Sequence, residues 1–201
     1  KEIAIYRYLK DLNFLCIPRL QNFKLSPNIT MQLSKGASTL FEMLPILSYK
    51  TAKEFMFRLA KCLKVISSQC LINLDLKPQN MIVIRDDNNL FKIQIIDWGL
   101  AELIYTPTRI KQTKQTLWWR SPECLHPYHI PVDYKADIFS LGIIFYQLYM
   151  NSINPIFMGN DVTQQKRTIL RYITNIDKNK VNTPYLINLE FKKSLEGPST
   201  A

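Results

Sequence analysis

The sequence predicts an α+β fold that combines long helices with short strands. Three observations carry this. Downstream of Thr51, Phe55, Leu59, Cys62, Leu63 and Ile66 recur at helical spacing and mark one buried stripe. A long apolar run, Ile138 to Met150, is broken by Ser140, Gly142 and Gln147, so it reads as a core helix rather than a membrane span. Between them, the apolar runs Met81 to Ile84 and Leu90 to Ile96 flank Asp86, Asp87, Asn88 and Asn89, a β-hairpin signal.

The remaining elements follow in order. Lys1 to Leu12 carries Ile3, Ile5, Tyr6, Leu9 and Leu12 near helical spacing. Ile17 to Phe23 and Asn28 to Leu33 read as short strands joined at Ser26, Pro27 and Asn28. Leu40 to Leu47 suits a short helix, and Thr51 with Glu54 makes a capping box for the longer one. Asp133 or Tyr134 opens the apolar helix, where Gly142 should let a neighbouring helix approach. Phe157 to Asp161 leads into a helix over Gln165 to Ile176, after which the pattern fades, and Gly197 to Ala201 reads as a loose end.

Composition narrows the function classes. The 201 residues, 47% hydrophobic and 21% charged, are enough for one soluble globular domain with one core. No charged-then-apolar leader opens the sequence. Cys16, Cys62, Cys70 and Cys124 lack metal-ligand spacing and read as reduced, mostly buried thiols of an intracellular protein, in cytoplasm or nucleus. The net charge of +10 is spread along the chain without an aromatic-interleaved binding motif. It suits a solvated basic surface, or an acidic protein substrate, better than nucleic acid, and no membrane partner is expected.

The chemistry concentrates between Leu71 and Gly99. Asp75, Lys77 and Asn80 share a polar loop closed by Pro78, and Asp97 follows the second hairpin strand. A hairpin brings its ends together, so Asp75, Asn80 and Asp97 should converge at one mouth. Hard oxygens from Asn80 and Asp97 suit Mg²⁺, which such sites bind with few protein groups plus the phosphates themselves. Asp75 can take a proton from a hydroxyl nucleophile and Lys77 can neutralise charge on a transferred phosphoryl group. The long segment Leu100 to Arg120, with Arg109, Lys111, Lys114 and the hydroxyls of Thr106, Thr108 and Thr113, is a candidate functional loop.

Together DLKPQN from Asp75, DWG from Asp97 and SPE from Ser121 resemble the catalytic loop, metal turn and activation-segment end of eukaryotic-type protein kinases. The resemblance covers roughly Lys1 to Ile176 and implies a protein kinase-like α+β fold, mainly the large helical lobe. Residues 1–33 would be a remnant of the small β-rich lobe, 34–176 the large catalytic lobe, and 177–201 remain unassigned. It implies MgATP as phosphoryl donor and a protein hydroxyl as acceptor. On this resemblance Asp75 is the base, Lys77 its partner, and Thr116 the bridge between them, an arrangement of Ser/Thr kinases. Asn80 and Asp97 would hold Mg²⁺. The nucleotide would meet Met31, Gln32 and Leu33, the latter two with Ser34 through backbone, together with Ile82, Ile96 and Glu2. Glu2 occupies the position of the family's lysine-paired carboxylate, and also suits a plain first-turn acid. Glu123, which in the family pairs with a distant arginine, and Asp137, which accepts from the catalytic-loop backbone, would be structural. Of Trp118 and Trp119, a core role is favoured over substrate contact.

Two departures carry information. Asn73 and Leu74 replace the family's His-Arg pair, which removes the arginine that clamps a phosphorylated activation segment; such a loop also occurs in kinases of large DNA viruses. Trp98 in place of Phe resembles the casein kinase 2 type. The five glycines, Gly36, Gly99, Gly142, Gly159 and Gly197, build no glycine-rich phosphate loop, and no strand lysine precedes Glu2. The resemblance thus implies a fragment of a longer kinase or a naturally shortened one, inactive on its own as given. A truncated pseudokinase acting as a binding or decoy module is the alternative; a nucleic-acid binder comes third. Oligomeric state is left open.

Overall fold

The computed structural model describes residues 1–11, 16–18, 20–24, 30–33, 38–85, 91–107, 115–125 and 130–174. The turns expected at 26–28 and 86–89 lie outside these residues. So do Ser34, Thr108, Arg109, Lys111, Thr113, Lys114 and the segment 177–201.

Helix α1, Glu2–Asp11, buries Tyr6 and Leu9, two of the apolar positions read from its periodicity. It packs beside an antiparallel pair, β1 (Leu20–Lys24) and β2 (Thr30–Leu33), in which Phe23 lies opposite Met31. A short strand β3 (Ser38–Thr39) follows and runs into helix α2 (Leu40–Met43). The capping box of this region sits here rather than at Thr51. The Thr39 hydroxyl accepts from Glu42 N and the Glu42 carboxylate from Thr39 N, at 3.3 and 2.8 Å. A 3₁₀ turn at Leu44–Ile46 completes what the sequence presented as one helix, because Pro45 removes a helical donor.

Helix α3, Tyr49–Ser68, is capped by Ser48, whose Oγ accepts from Thr51 N at 3.2 Å. Glu54 instead pairs with Arg58 one turn on, at 2.6 Å. The predicted stripe Phe55, Leu59, Cys62, Leu63 and Ile66 is buried, joined by Ala52. Strand β4 (Leu71–Ile72) leads to the polar loop, then the hairpin β5 (Met81–Arg85) and β6 (Phe91–Ile95), with Met81 opposite Ile95. The sheet order is β3-β5-β6, and β4 pairs antiparallel with β7 (Glu102–Leu103). Helix α4, Lys135–Met150, ends on Asn151 in the left-handed conformation, φ 49°. A Cβ on its Gly142 would meet open space, so among the described residues the close helix approach expected there is absent. Helix α5 is Val162–Thr174.

One core runs from Tyr6 and Leu9 of α1 through α3 and the β5–β6 hairpin to Ile144 and Leu148 of α4. A second, smaller cluster of Ile72, Leu74, Cys124, Val132 and Ala136 lies beneath the polar loop. Contrary to the reading of four reduced thiols, Cys16 and Cys62 form a disulfide, while Cys70 and Cys124 are free. The pair is separated by 46 residues and shows no framework spacing, so only the fold reveals it. The same segment is tied by Ile95 N donating to Cys16 O at 2.8 Å. Among the described residues, no helix is long and apolar enough to cross a membrane.

Candidate active site

The polar loop is shaped from below. Leu74 has φ 61° and is fully buried, a left-handed backbone that costs a branched residue about 1–3 kcal/mol. Asp137, in the first turn of α4, offsets that strain. Its carboxylate accepts from Asn73 N at 2.6 Å and from Leu74 N at 2.9 Å, with almost no solvent contact. Burial pushes this carboxyl up to about 6, while the two backbone donors pull the other way.

Held this way, the loop presents Asp75 among three partners. Lys77 Nζ donates to Asp75 Oδ2 at 2.7 Å and to Thr116 Oγ1 at 2.8 Å. Thr116 Oγ1 in turn donates to Asp75 Oδ1 at 2.6 Å, and Thr116 N reaches the same oxygen at 3.2 Å. Asn80 spends its Nδ2 on the Asp75 carbonyl oxygen at 3.0 Å and on Oδ2 at 2.9 Å. Asp75 is 7% exposed, so its two oxygens are oriented rather than free to rotate in water.

Two links join this loop to the turn after β6. Ile96 N donates to Asn80 O at 2.9 Å, and Asn73 Nδ2 to Asp97 O at 3.2 Å. Asp97 takes φ 61°, which leaves its side chain exposed; its Oδ1 accepts from Gly99 N at 3.2 Å. A Cβ at Gly99 would stand 3.3 Å from that oxygen, so the glycine lets the turn close on the carboxylate. Hydrogen bonds therefore tie the backbone that carries Asp75 and Asn80 to the turn that carries Asp97.

The donor set fits a hard cation. With the Asn80 NH₂ committed to Asp75, the amide offers Oδ1, and Asp97 offers Oδ2. Among the described residues no cluster of three or more His, Cys, Asp or Glu forms a protein cage. Two oxygen ligands with room for phosphate and water are what Mg²⁺ tolerates.

The remaining predicted residues divide. Glu2 does reach the site, but its carboxylate accepts from Trp98 N at 3.1 Å, so α1 is tied to the turn that follows Asp97. Trp98 is fully buried and donates Nε1 to Ile95 O at 3.2 Å. Ile82 and Ile96 fall on the same half-buried face of the hairpin, opposite the buried Met81, Val83, Ile93 and Ile95. Met31 lines a cavity of about 560 Å³ with Glu2, Ile3, Arg7 and Phe23. Gln32 is exposed and Leu33 half-buried on β2. Glu123 sits in a 3₁₀ turn, Pro122–Leu125, where burial raises its carboxyl; among the described residues it forms no ion pair.

The two tryptophans differ. Trp119 is buried and donates Nε1 to Gln147 Oε1 at 3.0 Å. Trp118 is partly exposed and donates Nε1 to Gly159 O at 2.8 Å. With Lys77, Gln79, Thr116 and Asn160 it lines a groove of about 620 Å³ beside Asp75. A Cβ at Gly159 would come within 2.2 Å of Gln165 N, so the wall of this groove admits only glycine there.

Sequence reasoning passed over two supports. Gln115, at φ 74° and buried, accepts from Ser121 N at 2.8 Å and donates to Ser140 Oγ at 3.1 Å. Arg120 Nη2 closes on Gln115 O at 2.7 Å. Asn73 was noted only as a departure, yet its Oδ1 accepts from Asp75 N at 3.0 Å while its Nδ2 holds Asp97. A polar residue at the head of DLKPQN was the available signal.

A family model described as "Protein kinase domain" matches residues 1–197.

Proposed function

Since the chain belongs to the protein kinase domain family, we propose that its site transfers the γ-phosphoryl group of ATP to a serine or threonine hydroxyl of a protein. The observation that carries this is the closed set of bonds around Asp75. One carboxylate oxygen is held by Thr116 and the other by Lys77 and Asn80, all within 3.2 Å.

In this reading the substrate hydroxyl approaches Asp75, which accepts its proton as the oxygen attacks phosphorus. Lys77 holds the carboxylate in place and faces the charge that builds on the transferred group. Thr116 fixes both. The bridging hydroxyl and Lys77 support Ser/Thr rather than Tyr specificity. Mg²⁺ would be held by Asn80 Oδ1 and the Asp97 carboxylate and would neutralise phosphate charge. Ile82 and Ile96 offer an apolar floor to the nucleotide base, with Met31, Gln32 and Leu33 at its edge. Trp118 lies in the groove where a substrate peptide would run. Use of ATP points to an intracellular setting, cytoplasm or nucleus, where the Cys16–Cys62 bond would follow the local redox state.

The test pairs binding with transfer. MgATP should raise the melting temperature of the purified chain, and Asp97→Ala should abolish that rise. The missing glycine-rich loop and strand lysine lead to an expectation of inactivity, but the preformed bonds around Asp75 support transfer. Labelled phosphate from γ-labelled ATP should therefore appear on serine or threonine of a mixed protein substrate, and Asp75→Asn should remove it while leaving the melting shift. Transfer by Asp75→Asn at the wild-type rate would refute the assignment. A melting shift without any transfer would favour the alternative, a truncated pseudokinase acting as a binding or decoy module.

A further inference from the structure

We propose that the outer face of α3, with the adjoining end of α4, docks an acidic protein segment that also carries apolar side chains. The surface lies outside the phosphoryl-transfer site and the inference does not depend on that reading.

Helix α3 buries one side and leaves the other strongly patterned. Tyr49, Lys50, Lys53, Phe57, Lys61 and Lys64 are all exposed, Tyr49 by 60% and Phe57 by 61%. Contrary to the sequence reading of basic charge without interleaved aromatics, a spacing of four residues stacks Tyr49, Lys53, Phe57 and Lys61 as alternating rings and cations. Lys53 Nζ lies 5.7 Å from the Tyr49 ring centroid and Lys61 Nζ 4.4 Å from that of Phe57. Among the described residues none of the four lysines pairs with a carboxylate. Glu54, the one acid on this helix, is committed to Arg58. The face is therefore cationic without internal compensation.

At the N-terminal end of α3 the stripe meets an apolar patch. The Tyr49 ring packs edge-on against Tyr149, with centroids 6.2 Å apart. Tyr149 is 64% exposed and Ile46, in the turn entering α3, is 78% exposed. Asn151 Nδ2 donates to Leu47 O at 2.9 Å, so the two helix ends are held together and the patch is preformed.

The shape of the charge selects the partner. Lys50 to Lys64 spans fourteen residues of helix, about 21 Å. That exceeds the screening length of about 8 Å at physiological salt. A partner must therefore bring negative charges distributed along a line, as a chain of Asp and Glu does. A duplex keeps its bases stacked inside and offers nothing to cover Ile46, and all four cations are lysines, without the planar fork of arginine that matches phosphate. A bilayer supplies a plane, whereas here the apolar groups cluster at one end of a linear track of cations.

The test uses the full chain and fluorescein-labelled synthetic helical peptides of Glu and Leu, read by fluorescence anisotropy. The parent peptide should bind, more weakly as salt rises. Replacing its Glu by Gln, or its Leu by Ser, should weaken binding by about tenfold or more. On the protein, Lys53→Glu with Lys61→Glu, and separately Ile46→Ser with Tyr149→Ser, should do the same with unchanged melting temperature. Should either double variant melt early, Lys53→Gln with Lys61→Gln gives the charge reading alone. Lys24→Glu, on β1, should leave binding unaltered, and so should Asp75→Asn. Failure of the parent peptide to bind, or equal binding by the α3 variants, would overturn the proposal. So would a case in which those variants lose only phosphatidylserine vesicles or duplex DNA.

Discussion

Replacing Asp137 with alanine should unfasten the polar loop from below. Two backbone donors, Asn73 N and Leu74 N, now meet its carboxylate at 2.6 and 2.9 Å in a site with almost no solvent contact. Without it each becomes a buried, unsatisfied N–H, at about 1–3 kcal/mol apiece, or about 2–6 kcal/mol together. Leu74 also loses the bonds that hold it at φ 61° and can relax to a commoner conformation. Against a total of about 5–15 kcal/mol for a domain, the loss is large. Urea unfolding measures the stability, and hydrogen exchange at the two amides locates the change. Phosphoryl transfer should fall with it, since Asp75 is the next residue. A stability loss under about 1 kcal/mol, or unchanged protection of both amides, would refute this account of the loop.

Other expectations bear on neighbouring groups. Because burial raises the Asp137 carboxyl to about 6 from 3.8, its titration favours the fold fully below about 3.8, a contribution lost as pH rises through about 6. The stability of wild type relative to Asp137→Asn should therefore improve on acidification across that window, and a flat difference would contradict it. Asp75→Asn should lower transfer by about 10²- to 10⁴-fold in a phosphate-incorporation assay. Thr116→Ala should reduce turnover more than nucleotide affinity, and Thr116→Ser should restore it, because the bridge needs only the hydroxyl; equal rates for both would dismiss the bridge. Cys62→Ser, or reduction of the wild type, should cost about 2–4 kcal/mol in urea unfolding. Cys124, pushed up to about 12 by burial, should resist alkylation at neutral pH while Cys70 reacts.

How much of this was readable beforehand depends on the range over which each feature is encoded. Periodicity is local, so the stripe of α3 and the strands of the hairpin were legible in the sequence. Cap choice was less so. Thr51 and Glu54 have the right spacing for a capping box, but Ser48 lies three residues upstream and wins the N-terminus. Within the site, Asp75, Lys77, Asn80 and Asp97 could be named from residue type and hairpin logic, and Thr116 from resemblance. What the sequence did not show are contacts between distant residues of ordinary type. Gln115 bonded to Ser140, Glu2 to the backbone of Trp98, and Cys16 to Cys62 leave no trace in spacing. The tryptophan pair shows the same limit, since adjacent residues of one type ended in opposite environments.

The attachment of α1 has a mechanical consequence. Near one end Glu2 is held by a single hydrogen bond to Trp98 N; beyond the other, Cys16 is held by a covalent bond to α3 and by the backbone of Ile95. Between these points Tyr6 and Leu9 seat the helix in the core, so the Glu2 carboxylate is presented to the Trp98 amide from a fixed support. Loss of that bond would leave both Glu2 and the Trp98 amide without this partner, one residue from Asp97. The turn that carries Asp97 and the first helix are in this sense joined through one hydrogen bond from an amide to a carboxylate.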